Sequence, residues 1–392
     1  MIYSTPPLDE TDQAVLAHID EQKNRLKTYT QHAPKRWIGS LRRITMARAI
    51  QGSNSIEGYN ASLDEAVAAV EDEPPFDERT ETWLAIRGYR EALTYIGQAS
   101  QDPHFEFSKQ FLKSLHFMMV GFDMTKMPGQ WRPGPIFVVD RRTGETAYEG
   151  PPAELVNSLI EELVLFLKSK TGEPAIVRGA MAHLNLTMIH PFKDGNGRMA
   201  RALQTLVIAL DGILNPIFSS IEEWLGRNTE RYYQILAMTG QGSWNPERSA
   251  LPWLRFCLTA HYQQAATLIR RNEEYERLYM GILKIIEREK LPERGTIPLF
   301  NSALGVMLTN ARYRADTDVS EIVASRDLKR ITEAKLLLPV GEKRGRVYRA
   351  KGELLVLRSE TRLPRPLEDP YELIFRRQKR APQPEPPRLP GL

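Results

Sequence analysis

His190-Pro191-Phe192-Lys193-Asp194-Gly195-Asn196-Gly197-Arg198-Met199-Ala200-Arg201 is the stretch on which the fold turns. Before it, Ala182, Leu184, Met188 and Ile189 belong to a helix that begins near Pro174. Pro191 disfavours helical geometry at the residue preceding it, so His190 is expected where that helix stops. After it, Met199, Leu203, Leu206, Val207 and Leu210 recur at helical spacing, predicting a second helix from about Gly197 or Arg198. Between the two lies Asp194-Gly195-Asn196-Gly197, whose glycines let the backbone turn tightly and approach a ligand. Free amides at a helix start attract anions, and successive turn amides form a nest for phosphate oxygens. Arg198 and Arg201 are three positions apart and share one helix face. Their planar forks suit phosphate. Asp194 is a candidate carboxylate for Mg²⁺, which takes one or two such ligands plus substrate phosphates. His190 titrates near neutrality and is a candidate base for an attacking hydroxyl.

Each feature alone has an ordinary reading: a surface histidine, a turn, a solvated pair of arginines. Their conjunction in one short junction is what points to chemistry on a phosphate-bearing group. The stretch resembles the signature of the Fic domain, HxFx(D/E)GNGRxxR, with every defined position filled. The resemblance implies transfer of a nucleoside monophosphate, usually AMP from ATP, to a protein hydroxyl. It assigns proton abstraction to His190 and metal binding to Asp194. Phosphate contacts fall to Gly195, Asn196, Gly197, Arg198 and Arg201, and Phe192 becomes a buried anchor. Doc-type kinases usually replace the second glycine and the arginine after it; both are kept here, which favours nucleotidyl over phosphoryl transfer.

A second motif is Ser53-Asn54-Ser55-Ile56-Glu57-Gly58, at the end of a helix carrying Leu41, Ile44, Met46, Ala49 and Ile50. Gly58 is a plausible terminator. The segment is similar to the (S/T)xxxE(G/N) inhibitory motif of Fic proteins, in the class whose inhibitory helix precedes the signature. Ser53 and Glu57 are then inhibitory residues. Glu57 paired with Arg201 would remove a phosphate ligand and put negative charge where the γ-phosphate belongs. In some family members the same glutamate positions a water that removes AMP, so a deAMPylase stands as an alternative.

Pro135-Ile136-Phe137-Val138-Val139 reads as a strand, Asp140-Arg141-Arg142-Thr143-Gly144 as a turn and Thr146-Ala147-Tyr148 as a returning strand. In Fic proteins a hairpin in this place, the flap, docks the target by strand addition. The expected partner is therefore a target protein presenting a Tyr, Thr or Ser hydroxyl on the 136–148 flap. Arg132 and Pro151-Pro152 also resemble the family, and Tyr232 and Tyr233 match a tyrosine pair placed beside the nucleobase.

The fold class expected is mainly α: a Fic-type helical core with a β-hairpin flap, followed by a small winged-helix-like α+β domain. The divisions are 1–104, a helical N-terminal lobe with the inhibitory helix; 105–262, the catalytic core; 263–292, a helical connector; 293–365, the winged-helix-like domain; and 366–392, a disordered proline-rich tail. The winged helix rests on Asp318–Val323 and Arg326–Ile331 read as helix-turn-helix, then strands at Leu336–Val340 and Gly345–Arg349. Arg326, Lys329, Arg330, Lys343, Arg344 and Arg346 are candidate phosphate contacts, so DNA is a candidate partner and a nucleotide-sensing DNA-binding regulator is the rival reading. Dimerisation or target docking is the other role open to this module, so a homodimer is a candidate as well.

The 392 residues exceed a usual single domain, and 42% hydrophobic content supports a real core. A formal charge of +4 does not by itself imply nucleic acid or membrane. The lone Cys257 excludes an internal disulfide and a cysteine zinc site. No apolar run approaches about 18 residues and the start lacks a basic, then apolar leader, so the expectation is a cytoplasmic protein away from membranes.

Overall fold

The computed structural model describes residues 1–31, 37–74, 80–139, 144–169, 172–212, 219–342, 345–365 and 368–380. The expected turn at 140–143, the wing-tip residues Lys343 and Arg344, and the tail from 381 lie outside them. The described chain is mainly helical. Its N-terminal half holds α1 (Glu10–Gln31), α2 (Ile38–Ile56), α3 (Leu63–Val70), α4 (Glu81–Ala99) and α5 (Lys109–Val120). A hairpin follows, β1 (Phe137–Val139) and β2 (Thr146–Glu149), then α6 (Val156–Lys168), α7 (Ala175–Ile189) and α8 (Asn196–Ala209). Next come α9 (Glu222–Arg227), α10 (Thr229–Gly240), β3 (Gly242–Ser243) and α11 (Leu251–Arg288). The C-terminal module contains α12 (Thr296–Ala303), α13 (Asn310–Thr317), α14 (Glu321–Glu333), β4 (Leu337–Val340), β5 (Val347–Ala350) and α15 (Glu353–Glu360), and α16 (Pro370–Arg380) closes the described chain.

α7 and α8 form the central pair. Both are buried on nearly every side, as helices at the middle of a bundle must be. Leu186, Ile189, Met199 and Leu203 join α4, α5 and α6 in one core. Met181, Leu184 and Met188 face a second, with Val15 and Ile19 of α1 and Trp253 of α11. The 38 residues of α11 span about 57 Å. The part of this helix expected as a connector is a buried spine: Leu278, Ile282 and Ile285 pack with Leu41 and Ile44 of α2 and with Phe300, Leu328 and Ile331 of the C-terminal module.

Two glycines set the position of α2. A Cβ on Gly52 would lie 2.5 Å from the Glu222 carbonyl, and one on Gly226 would lie 2.6 Å from Gly52 Cα. α2 and α9 therefore touch backbone to backbone. Polar side chains also pin the C-terminal module to α3: Arg312 bonds Asp64 at 2.7 Å and Glu73 at 2.7 Å, and the Met307 amide donates to Asp64 at 2.8 Å.

Three local expectations are corrected. The residues read as helix-turn-helix at 318–331 instead supply one helix: Asp318 is the left-handed end of α13, Ser320 caps α14 at the Val323 amide, and the helix preceding the turn is α13. The hairpin gains a partner, because β3 pairs parallel with β2 while β1 stays at the edge. Part of the tail expected to be disordered is helical: α16 packs on α1, with Ile374 buried and the Tyr371 hydroxyl 2.9 Å from Asp12. Proline content hid a short segment with two apolar anchors. Strands β4 and β5 pair antiparallel, Leu337 opposite Ala350.

Candidate active site

α7 ends at Ile189, and His190 caps it in the left-handed region with φ 50°. A non-glycine residue there costs roughly 1–3 kcal/mol and persists only where its surroundings over-determine it. Arg132 supplies that constraint. Its Nε donates to the His190 carbonyl at 2.8 Å, its amide donates to the Pro191 carbonyl at 2.8 Å, and its guanidinium also reaches the Gly134 and Pro151 carbonyls. The His190 ring is fixed by Nδ1, 3.1 Å from the Thr187 carbonyl. A carbonyl only accepts, so Nδ1 carries the proton and Nε2 is left with a lone pair. Burial pulls the His190 pKa below its ordinary value, which keeps the ring neutral at physiological pH.

The turn between the helices is closed from inside. Asn196 accepts the Phe192 amide at 2.9 Å and donates to the Phe192 carbonyl at 2.8 Å, so its side chain is spent on the loop. Phe192 is fully buried, as an anchor should be. The first backbone bond of α8 runs from Met199 to the Gly195 carbonyl, which leaves the amides of Asn196, Gly197 and Arg198 in the open first turn.

Over that turn lies Glu57. A Cβ on Gly197 would stand 2.3 Å from Glu57 Oε1 and 3.0 Å from Arg201 Nη1, so only glycine leaves room for this carboxylate. Glu57 Oε1 accepts from Arg201 Nη2 at 2.6 Å, while Arg201 Nε and Nη2 also hold the Ser53 hydroxyl and carbonyl at 2.8 and 2.9 Å. Both residues of the second motif thus reach the arginine. Arg198 and Arg201 are buried, yet Arg198 Nε and Nη1 and Arg201 Nη1 have no acceptor among the described residues. Buried cationic donors left open beside helix amides fit an anion such as a polyphosphate.

Asp194 uses Oδ1 for the Gly195 amide at 2.7 Å. Its Oδ2 faces Lys126 Nζ at 3.4 Å and Arg198 Nη2 at 3.6 Å. One carboxylate beside a phosphate cradle suits a metal that takes its other ligands from phosphates and water. Among the described residues no group of three or more His, Cys, Asp and Glu is placed to hold an ion without them.

The tyrosines separate. Tyr232 is buried, its hydroxyl 3.0 Å from His183 Nε2, while His183 Nδ1 lies 2.6 Å from Gln204. Tyr233 is half-exposed and donates to the Ile56 carbonyl at 3.0 Å, at the end of α2. Sequence reading missed His116. Gly129 N–H donates to its Nδ1 at 2.9 Å, so Nε2 carries the proton to the Asp194 carbonyl, also at 2.9 Å. Its ring stacks on Phe192 at 3.7 Å, and burial holds its pKa down at about 4. Nothing local in the sequence marks a histidine 78 positions before the aspartate it supports.

Away from this site, Arg326 and Arg346 of the C-terminal module are exposed, Lys329 lies 3.8 Å from Glu333, and Arg330 donates to the Lys290 carbonyl. Among the described residues no helix is long and apolar enough to cross a membrane.

Comparison with known proteins agrees with this geometry. The Fic/DOC family pattern matches residues 106–208. The protein adenylyltransferase Fic of Nematostella vectensis is 26% identical over 246 residues, 62% of this chain and 54% of its own length. The protein adenylyltransferase fic-1 of Caenorhabditis elegans is 24% identical over 248 residues, 62% of this chain and 46% of its own. The chain thus spans about half the length of these curated relatives. Among solved structures, a Fic family protein from Desulfovibrio desulfuricans superposes with a TM-score of 0.58 at 20% identity, covering 89% of this chain and 98% of that one. Fold and site define a Fic-type helical domain, and the match to the Fic/DOC family places that domain at residues 106–208.

Proposed function

We propose that this protein is an adenylyltransferase that moves AMP from ATP to a Tyr, Thr or Ser hydroxyl of a target protein, and that Glu57 restrains it. One observation carries the reading: buried guanidinium donors of Arg198 and Arg201 without acceptors among the described residues lie beside the first turn of α8, behind a histidine whose Nε2 offers a lone pair. A pure nucleotide sensor needs the first and not the second. The names of the relatives support the same chemistry.

In the reaction, the target hydroxyl oxygen attacks the α-phosphorus as His190 Nε2 takes its proton. The bond from that phosphorus to the bridging oxygen breaks, and pyrophosphate leaves with the electron pair. Arg198, Arg201 and the amides of Asn196 and Gly197 hold the phosphate oxygens and stabilise charge developing on them. Asp194 would hold a divalent ion, which supplies charge neutralisation to the phosphates when bound. Free-edge strand β1 is where a target segment would pair, since β2 already has neighbours on both sides. Glu57 sits on Gly197 and Arg201, so it competes directly with the terminal phosphate.

Incubation with ATP labelled at the α or the γ position tests this. Glu57→Gly protein should retain label on protein from the α position only, and faster than wild type. Label from the γ position alone would make it a kinase, and no label from either would favour the sensor.

A further inference from the structure

Glu57 is not the only group of its segment that reaches into the site. The Tyr59 amide bonds the Asn54 carbonyl at 3.0 Å, so Tyr59 rides on the same capped end of α2. Its hydroxyl accepts from Lys126 Nζ at 2.7 Å and donates to Glu81 at 2.9 Å. Its ring lies under the Arg198 guanidinium, 5.3 Å from the centroid. Lys126 and Arg198 are the two cations that face Asp194 Oδ2. The other oxygen of that carboxylate already holds the Gly195 amide. A divalent ion at Asp194 Oδ2 would meet the ammonium of Lys126 at close range, because like charges 3.4 Å from the same oxygen repel.

We propose that Lys126 is a tethered cation occupying the metal side of the site at rest, held against Asp194 by Tyr59. The inhibitory segment then blocks two positions at once: Glu57 stands in for a phosphate at Arg201, and Tyr59 keeps an ammonium where a divalent ion belongs. Lys126 is well placed for this because it is only 15% exposed, is bonded to Glu81 at 3.0 Å and lies over the Phe122 ring at 5.0 Å, so it does not drift into solvent. Arg198 is fixed on α8 and stays with the phosphates. Lys126 comes from a short 3-10 turn, Met124–Lys126, and loses its Tyr59 partner when the end of α2 moves away. Release of the segment would therefore open the anion side and the cation side together, coupling metal entry to nucleotide entry.

The inference rests on the nucleotide reading of the site, and a binding experiment separates the two. Mn²⁺ binding is followed by electron paramagnetic resonance in Glu57→Gly protein with a non-hydrolysable ATP analogue, and compared with the same protein carrying Lys126→Met, Lys126→Arg or Tyr59→Leu. Removing a positive charge a few ångströms from a carboxylate should tighten Mn²⁺ about tenfold in Lys126→Met. Tyr59→Leu should move the same way by a smaller factor, and Lys126→Arg should match its parent. Analogue affinity measured without metal should be unchanged in Lys126→Met. Equal Mn²⁺ affinities in Lys126→Met and its parent would overturn the proposal. So would weaker analogue binding without metal, which would make Lys126 a phosphate ligand. If the Glu57→Gly parent binds no analogue at all, the nucleotide reading itself falls and this inference with it. Methionine keeps the length of the side chain over Phe122, and a thermal melt alongside each titration checks that the variants are folded.

Discussion

Two glutamate–arginine pairs sit near α2, one buried and one partly exposed, and they differ in how firmly they are held. Glu223 of α9 is buried and meets both ends of the Arg271 fork, with Arg227, Arg48 and Gln264 around it. Burial raises its pKa, but these arginines together outweigh that and hold it at about 2. Glu57 bonds Arg201, keeps 21% of its side chain exposed and hangs one residue past the end of α2. Arg201 still has a nitrogen without an acceptor. A charge with several partners and no water is a brace, because removing any one member strands the others. A partly exposed charge on a helix end, reaching a guanidinium that keeps an open donor, is replaceable by an anion that fits better. Arg48 and Gly52 tie the middle of α2 to α9, so the helix is braced at its centre, and the proposed function makes its tip the part that moves.

The largest expected effect tests whether the tip covers a catalytic site at all. In Glu57→Gly protein, His190→Ala should lower transfer by about 10²–10⁴-fold, the usual loss on removing a general base. Nucleotide affinity should stay, because the ring is not part of the cradle. An undiminished rate would leave Glu57 as a second structural pair and erase the contrast. Next is the brace. Glu223→Ala should cost about 3–5 kcal/mol, seen as a fall in the urea midpoint, since Arg271 is left charged and buried. It should not raise transfer. Glu57→Gly should cost less, and saturating ATP should restore it: ligand at 100 times its Kd adds about 2.7 kcal/mol. ATP that stabilises Glu223→Ala and Glu57→Gly equally would mean both sites are equally open to nucleotide.

How much of this was legible in the sequence depends on how far apart the cooperating groups lie. The junction from His190 to Arg201 could be read because its parts are contiguous: Pro191 ends one helix, Gly195 turns, and the arginines follow at helical spacing. Gly58 marked the end of α2, and the β-branched and aromatic residues at Phe137–Val139 and Thr146–Tyr148, either side of a turn-like stretch, marked the hairpin. β3 was illegible because two residues, Gly242 and Ser243, carry no pattern. α13 was missed because, among its eight residues, Tyr313 is the one large apolar side chain and the rest are alanine or polar, which leaves no periodicity to detect. His116, Lys126 and Tyr59 were missed for a different reason. Each acts on the loop across a long stretch of chain, and a lone residue of a common type has no local signature.

Stability should also depend on pH through His116, which lies on the signature loop and not in the brace. His116 holds the Asp194 carbonyl while neutral, and its folded pKa is about 4 against 6.5 in the unfolded chain. A base whose folded pKa is depressed contributes stability above the unfolded value and loses it as pH falls towards the folded one. By pH 5 the loss is about 2 kcal/mol from this group alone. His183, with a pKa of about 3, acts with the same sign. Glu223 stays ionised throughout that window, so the brace does not contribute. The urea midpoint should fall between pH 6.5 and 5, and His116→Gln should flatten part of that slope. A midpoint constant from pH 7 to 5 would remove His116 as a neutral prop.

The smallest effect concerns the bond between the switch and the core. Tyr233 donates to the Ile56 carbonyl at 3.0 Å, immediately before Glu57, and this is a side-chain bond from α10 to the last residue of α2. Tyr233→Phe keeps the ring and removes the donor, a change of about 1 kcal/mol, or roughly fivefold in an equilibrium. If the tip of α2 opens to admit ATP, basal transfer by otherwise wild-type protein should rise by about that factor at saturating ATP. In the Glu57→Gly background the same substitution should have no effect on rate, because the restraint is already gone. A fall in both backgrounds would place the Tyr233 hydroxyl on the nucleotide instead of on the restraint. A rise in both would mean that α10 limits the reaction by some route other than Glu57, and the tip of α2 would no longer be the part of the molecule that separates the switch from the brace.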